Sequence, residues 1–161
     1  MKAVLQRVDH ASVEIDGEVV GQIGAGLVVL IGVAIGDTAA EAAYLVEKIC
    51  NLRIFEDERG RFDRSILDIH GELLIVSQFT ILADCRKGRR PGFDAAAPPE
   101  EAERLYNHFV DLTRASGLKV ATGRFQAHML INIANQGPVT IILDRPPKGL
   151  PNLIEREKSS L

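Results

Sequence analysis

A chain of 161 residues, 46% hydrophobic and 25% charged, is long enough for one self-supporting core and too apolar for global disorder. With no Trp, two Tyr and six Phe, it has no broad aromatic platform for stacking bases. Its formal net charge of −3 argues against a nucleic-acid partner only on average, because net charge does not report local charge.

The N-terminal Met1-Lys2-Ala3-Val4-Leu5-Gln6-Arg7 has no uninterrupted apolar run, so no secretory signal is expected. Val4 to Val8 alternates and predicts a strand. Ser12-Val13-Glu14-Ile15 and Glu18 to Ile23 flank Asp16-Gly17, a two-residue hairpin signal because both turn positions need positive φ. Gly26 to Val33 predicts a fully buried strand. The surrounding apolar run, Gly24 to Ile35, is too short to span a bilayer. Asp37 or Thr38 then caps a helix, with Thr38 and Glu41 at capping-box spacing. Ala42, Leu45, Val46 and Ile49 recur at helical intervals along it.

Arg53-Ile54-Phe55 predicts a short strand, Asp57-Glu58-Arg59-Gly60 a turn, and Leu73 to Phe79 another apolar strand. Ala83 to Pro99 reads as a long loop, and length alone makes it a functional candidate. Pro98-Pro99-Glu100-Glu101 opens a second helix, with Pro and acids where a first turn favours them. Its apolar stripe is Leu105, Phe109 and Leu112, and Gly117 ends it. Gly123 to Asn135 and Val139 to Leu143 predict the last strands, split by Gln136-Gly137-Pro138. Neighbouring hairpins with two inserted helices indicate a single, mainly antiparallel α+β domain. That domain is expected over residues 1–145, with 146–161 as a flexible tail.

Cys50 and Cys85 lie in no ligand spacing and are expected as reduced thiols in a cytoplasmic protein. His10, His70, His108 and His128 form no metal-binding pattern, so neither metal nor cofactor is expected.

Two segments carry polar groups out of keeping with their apolar surroundings. In Ser77-Gln78-Phe79-Thr80, period two places Gln78 and Thr80 in line with Leu74 and Val76, and Ser77 and Phe79 with Leu73 and Ile75. Spacing alone equally describes side chains bonding neighbouring backbone at a strand end. In Asn135-Gln136-Gly137-Pro138-Val139-Thr140, Pro must sit at a bend or edge and Gly permits close approach. A plain turn satisfies the same pattern, and spacing leaves the Gly137-Pro138 isomer open.

Taken in order, these segments resemble the D-aminoacyl-tRNA deacylases. Ser77-Gln78-Phe79-Thr80 matches that family's SQFT motif, and Asn135-Gln136-Gly137-Pro138-Val139-Thr140 its NxGPVT motif. Gln6-Arg7-Val8, Gly24-Ala25-Gly26-Leu27, Arg53-Ile54-Phe55 and Gly123-Arg124-Phe125 are similar in order and spacing, so the likeness runs from about Met1 to Asp144. The resemblance implies a barrel-like sheet with two packed helices. It also implies a cofactor-free homodimer that hydrolyses D-aminoacyl-tRNA and glycine mischarged on alanine tRNA, sparing L-aminoacyl esters.

By the same resemblance, Ser77, Gln78, Phe79 and Thr80 form the catalytic pocket. A cis Gly137-Pro138 pair from the partner subunit gates it, flanked by Asn135, Val139 and Thr140. Arg7 would prop the gate, the alternative being a surface cation with a buried stem, and Met129 would line the pocket, core packing being an equal reading. Gln126 stands where the family has a small residue. Arg86, Lys87, Arg89 and Arg90 follow the pocket strand and are the expected phosphate contacts for the tRNA acceptor end. Two other readings stay open: a non-catalytic aminoacyl-tRNA-binding module of the same fold, and a serine hydrolase through Ser77. No GxSxG elbow surrounds that serine.

Overall fold

The protein is seen in a computed structural model that describes residues 1–147. Strands β1 (Lys2–Ile15) and β2 (Glu18–Ile23) form the hairpin read from Asp16-Gly17, whose φ angles are 53° and 82°. The two alternating runs at its start are one 14-residue strand, continuous through Asp9-His10-Ala11. Strand β3 (Gly26–Gly32) pairs antiparallel with the first half of β1. Helix α1 (Ala39–Asn51) follows, with Thr38 as N-cap. Thr38 Oγ1 accepts the Ala40 N–H at 3.2 Å, and Glu41 Oε2 accepts the Thr38 N–H at 2.8 Å, so the capping box is complete. Asp37, the other candidate cap, is buried elsewhere: it accepts from the Met1 ammonium at 2.5 Å and the Ala34 N–H at 2.6 Å.

Strands β4 (Phe55–Glu56) and β5 (Phe62–Arg64) make a separate two-stranded sheet, so the strand read at Arg53 begins two residues later. Strand β6 (Glu72–Ser77) lies parallel to β3. It stops at Ser77, short of the expected Phe79, because Gln78 (φ −146°, ψ 82°) turns the chain into a 3-10 turn over Phe79–Leu82. Helix α2 (Pro99–Arg114) buries Leu105 and Phe109 as expected, and β7 (Lys119–Thr122) then lies parallel to β6. β7 was not legible in sequence. Strand β8 (Leu130–Asp144) replaces the two last strands expected. It starts later than Gly123 because a turn containing Gln126, φ 60°, precedes it, and it runs unbroken in direction through Gly137-Pro138.

The sheet order is β2-β1-β3-β6-β7, with β8 on the other edge of β1. Both parallel junctions need crossovers, and α1 and α2 lie in them. The sheet curls nearly closed: a Cβ at Gly21 on β2 would lie 2.7 Å from the Thr122 carbonyl oxygen on β7. Alternate side chains therefore feed two cores. Leu5, Leu27, Val29, Ile31, Leu73 and Ile75 pack under the helices, against Leu45, Ile49, Leu105 and Phe109. Val8, Val13, Ile23, Val28, Leu74 and Val76 fill the inside of the curl. The result is one α+β unit with mainly antiparallel, barrel-like pairing and two packed helices. The expected tail at 146–161 lies, from residue 148 on, outside the described residues.

Candidate active site

The first cluster arises from a mismatch in the β1–β8 ladder. Gln6 pairs with Thr140 and Val8 with Asn135, so Arg7 alone stands opposite Gln136, Gly137, Pro138 and Val139. The surplus residues loop out and expose Gln136, Gly137 and Pro138. The Gly137-Pro138 peptide bond is cis, and Gly137 has φ 124°. A Cβ at Gly137 would lie 2.7 Å from Val139 Cγ2 and 3.0 Å from Arg7 Nη2, so glycine is required on both counts.

Side chains tie the base of this loop. Asn135 Oδ1 accepts the Val139 N–H at 2.9 Å, and Asn135 Nδ2 donates to Thr140 Oγ1 at 3.1 Å. Gln6 Nε2 donates to the same hydroxyl at 3.3 Å. Arg7 is 4% exposed, which discards the surface-cation reading. Its Nε donates to Gln136 O at 3.2 Å, Nη1 to Ile54 O at 2.8 Å and Nη2 to Glu56 Oε1 at 3.2 Å. The Phe62 ring stacks under the guanidinium at 5.3 Å. Sequence reading missed Gln6, Glu56 and Phe62. Gln6 figures only within the Gln6-Arg7-Val8 likeness, and nothing local marks Glu56 or Phe62, because their partner lies far along the chain.

The second cluster sits where β6 ends. The Gln78 N–H continues the ladder to Ile31 O at 2.8 Å, after which period two is lost, so Gln78 and Thr80 do not share a strand face as expected. Instead, the Gln78 side-chain amide donates to the Thr80 hydroxyl. Phe79 and Thr80 open the 3-10 turn, where backbone N–H groups have no partner inside the turn. Phe79 is 54% exposed and packs edge-on against Phe93, 5.0 Å between centroids. The turn lies over Gly32, where a Cβ would come within 2.9 Å of Ile81 Cγ1.

The two clusters stand apart within one chain. Ser77 aligns through Ile31 with Ala3, whereas the loop lies opposite Arg7, four residues further along β1 and three strands across. At about 3.3 Å per residue and 4.8 Å per strand, that separation is roughly 15–20 Å. Met129 joins neither cluster. It is partly buried against the inner core, with its sulfur beside Gly123, where a Cβ would overlap it.

The loop after the second cluster is pinned by Asp84 and Gly92, which exchange backbone hydrogen bonds of 2.8 and 2.9 Å. Arg86, an expected phosphate contact, has a 73% exposed side chain and an ion-pair partner within the loop. It grips the Asp84 carboxylate with Nε at 2.9 Å and Nη2 at 2.7 Å, which holds that carboxyl well below its ordinary pKa. Lys87, Arg89 and Arg90 are exposed on the loop.

A cleft of about 210 Å³ is lined by Arg7, Asp9, Phe55, Glu56, Ile69 and Gln136, alongside the first cluster. A larger hollow of about 400 Å³ on α1, between Tyr44 and Arg53, shares no residue with either motif. Among the described residues, no three His, Cys, Asp or Glu side chains gather to hold a metal, and no helix is long and apolar enough to cross a membrane. Cys50 is buried, which pushes its thiol pKa up, and Cys85 is exposed.

The likeness to known proteins spans nearly the whole described chain. Residues 4–144 match the family model described as D-Tyr-tRNA(Tyr) deacylase. A D-aminoacyl-tRNA deacylase of Dehalococcoides mccartyi is 62% identical over 144 residues, 89% of this chain and 94% of that protein. One from Geobacter sulfurreducens is 56% identical over 144 residues, 89% of this chain and 95% of the other. Among solved structures, a c-Myc DNA unwinding element binding protein superposes with TM-score 0.86 at 46% identity, covering 91% of this chain and 99% of its own. A probable eukaryotic D-amino acid tRNA deacylase superposes with TM-score 0.78 at 18% identity, over 89% and 98%, and shows the shared fold.

Proposed function

The chain belongs to the D-Tyr-tRNA(Tyr) deacylase family, and from that premise we propose that its two motifs form one hydrolytic site across a homodimer. The activity is hydrolysis of the ester joining a D-amino acid to tRNA, which releases free D-amino acid and tRNA and proofreads translation. Water adds to the ester carbonyl carbon, the carbon–oxygen bond to the ribose breaks, and the ribose oxygen takes up a proton. Such an ester is already activated, so the site has to position water and stabilise charge on the carbonyl oxygen. The amides of Phe79 and Thr80, at the open end of the turn, suit that oxyanion.

Thr80 acts here as a positioning group. Its hydroxyl bonds the Gln78 amide, a donor that cannot activate a nucleophile. The free 2′-hydroxyl of the terminal ribose orients the attacking water. The chiral gate is the exposed Gly137-Pro138 loop of the partner subunit. Its carbonyls take the α-amino group and leave no room for an L side chain. Being backbone, the gate serves many D side chains. Glycine has no side chain to exclude, so glycine mischarged on alanine tRNA is also a substrate. Lys87, Arg89 and Arg90 hold acceptor-end phosphates, and the protein works in the cytoplasm, where charged tRNA is found.

The observation that carries the two-chain site is the register. The motifs are roughly 15–20 Å apart within one chain on sheet spacings, while the loop stands exposed and propped by Arg7. The decisive experiment follows release of amino acid from D-Tyr-tRNA and L-Tyr-tRNA. D-Tyr is released and L-Tyr retained. Equal release of both sinks the gate. Tight binding without turnover would leave a binding module.

A further inference from the structure

We propose that Glu56 and Phe62, on the β4–β5 hairpin, are positioning residues that set chiral selectivity by fixing Arg7 under the Gly137-Pro138 loop. The inference rests on the gate reading above and adds the element that holds the gate still.

A buried cation is unfavourable unless paired and hydrogen-bonded. Arg7 is 4% exposed, and two of its three acceptors, Gln136 O and Ile54 O, are neutral carbonyls. Its ion-pair partner is Glu56, at 3.2 Å. The nitrogen that meets Glu56, Nη2, also lies 3.0 Å from where a Cβ on Gly137 would be. One guanidinium therefore bonds the hairpin through Nη2 and the gate loop through Nε.

Phe62 has its own anomaly. It is 52% exposed, belongs to neither apolar core, and faces the Arg7 guanidinium at 5.3 Å. Half-exposed aromatics over a cation contribute through the ring's quadrupole as well as its area. Glu56 and Phe62 are register partners across the hairpin, so one small sheet presents the carboxylate and the ring together.

The hairpin is built to stay put. The Asp57 carboxylate accepts the Arg59 and Arg61 N–H groups at 2.8 and 2.9 Å and the Arg61 guanidinium at 3.0 Å. Phe55 and Ile54 anchor its base in the helix-side core. The open cleft of about 210 Å³ runs beside Arg7, Glu56 and Gln136. Without the hairpin contacts, water enters there and the guanidinium is free to swing. A gate that excludes side chains by carbonyl placement tolerates little such motion.

The test compares Glu56→Gln, Phe62→Leu and Phe62→Tyr with wild type. The readouts are kcat/KM on D-Tyr-tRNA and L-Tyr-tRNA, melting temperature, and hydrogen exchange of the Val139 amide. Glu56→Gln and Phe62→Leu lower the D-over-L ratio about tenfold, the scale of one lost charge-assisted contact. Both speed Val139 exchange. Phe62→Leu leaves melting nearly unchanged, whereas Glu56→Gln, which takes the counter-charge from buried Arg7, also lowers it. Phe62→Tyr keeps the ring and the wild-type ratio. An unchanged ratio, or proportional loss on both substrates with exchange unaltered, overturns the proposal. If wild type itself fails to discriminate, the gate reading falls, and exchange alone decides the clamp: unchanged Val139 exchange in Glu56→Gln ends it.

Discussion

Thr80 separates two chemistries that use the same atoms. A threonine nucleophile needs a base within hydrogen-bond reach, and the partner found for Thr80 Oγ1 is the Gln78 amide. Thr80→Ala therefore keeps turnover within about tenfold of wild type, the range of a lost positioning contact rather than a lost nucleophile. Single-turnover release from D-Tyr-tRNA measures it. Near-total loss with intact binding would restore Thr80 as the attacking group. The Thr80 and Gly137-Pro138 motifs are legible in sequence because each is contiguous. Glu56 and Phe62 are not, since they gain meaning only when Arg7, some 50 residues away, reaches them. Arg86 has a local partner that the run of basic residues does not announce: Asp84, two residues earlier, pairs with it.

At the scale of elements, the strand ends are where sequence and structure diverge. Period two runs through Phe79, yet the chain leaves the sheet at Gln78, so the motif is a turn whose first amides have no partner inside it, rather than a strand face. Pro138 reads as a strand break, yet β1 is long enough to carry β8 past it with the surplus residues looped out. The helices are plainly legible because capping and periodicity are local. What holds α2 to the sheet is less so. The Tyr106 hydroxyl donates to Ile75 O at 2.9 Å, and burial pushes its pKa up to about 12. The raised value means the folded protein favours the neutral phenol. This stability is fully present below the unfolded pKa near 10 and is lost as pH rises toward 12. Tyr106→Phe, which leaves the Ile75 carbonyl short of a donor, is about 1 kcal/mol less stable than wild type at pH 8. Denaturant melts should show that gap closing and reversing between pH 10 and pH 12. A constant gap would mean the phenol is solvated.

For the whole molecule, the net charge of −3 hides a division of labour: Lys87, Arg89 and Arg90 are gathered on one exposed loop directly after the pocket strand. Phosphate contacts release counterions, so binding of charged tRNA weakens steeply with salt. Neutralising Arg89 and Arg90 to Gln flattens the log–log salt slope by roughly 1.5. An unaltered slope moves the RNA elsewhere.

The larger consequence concerns who completes the site. β8 is a 15-residue strand paired, among the described residues, on one edge, with Leu130 and Ile142 60% and 66% exposed. A long open edge of this kind invites a second copy. In the proposed two-fold dimer, each chain's loop meets its partner's pocket. That geometry predicts complementation. Phe79→Pro removes one oxyanion amide yet suits the first position of the turn, and lowers turnover by roughly 10²–10³. Gly137→Ala cannot fit beside Arg7 and Val139, and disables the gate. Each variant alone is nearly inactive. Dissociated, mixed and reassembled at equal amounts, half the dimers are mixed, and each pairs one sound pocket with one sound gate. About a quarter of wild-type activity on D-Tyr-tRNA should return if subunits pair at random under two-fold symmetry. A site confined to one chain regains nothing on mixing.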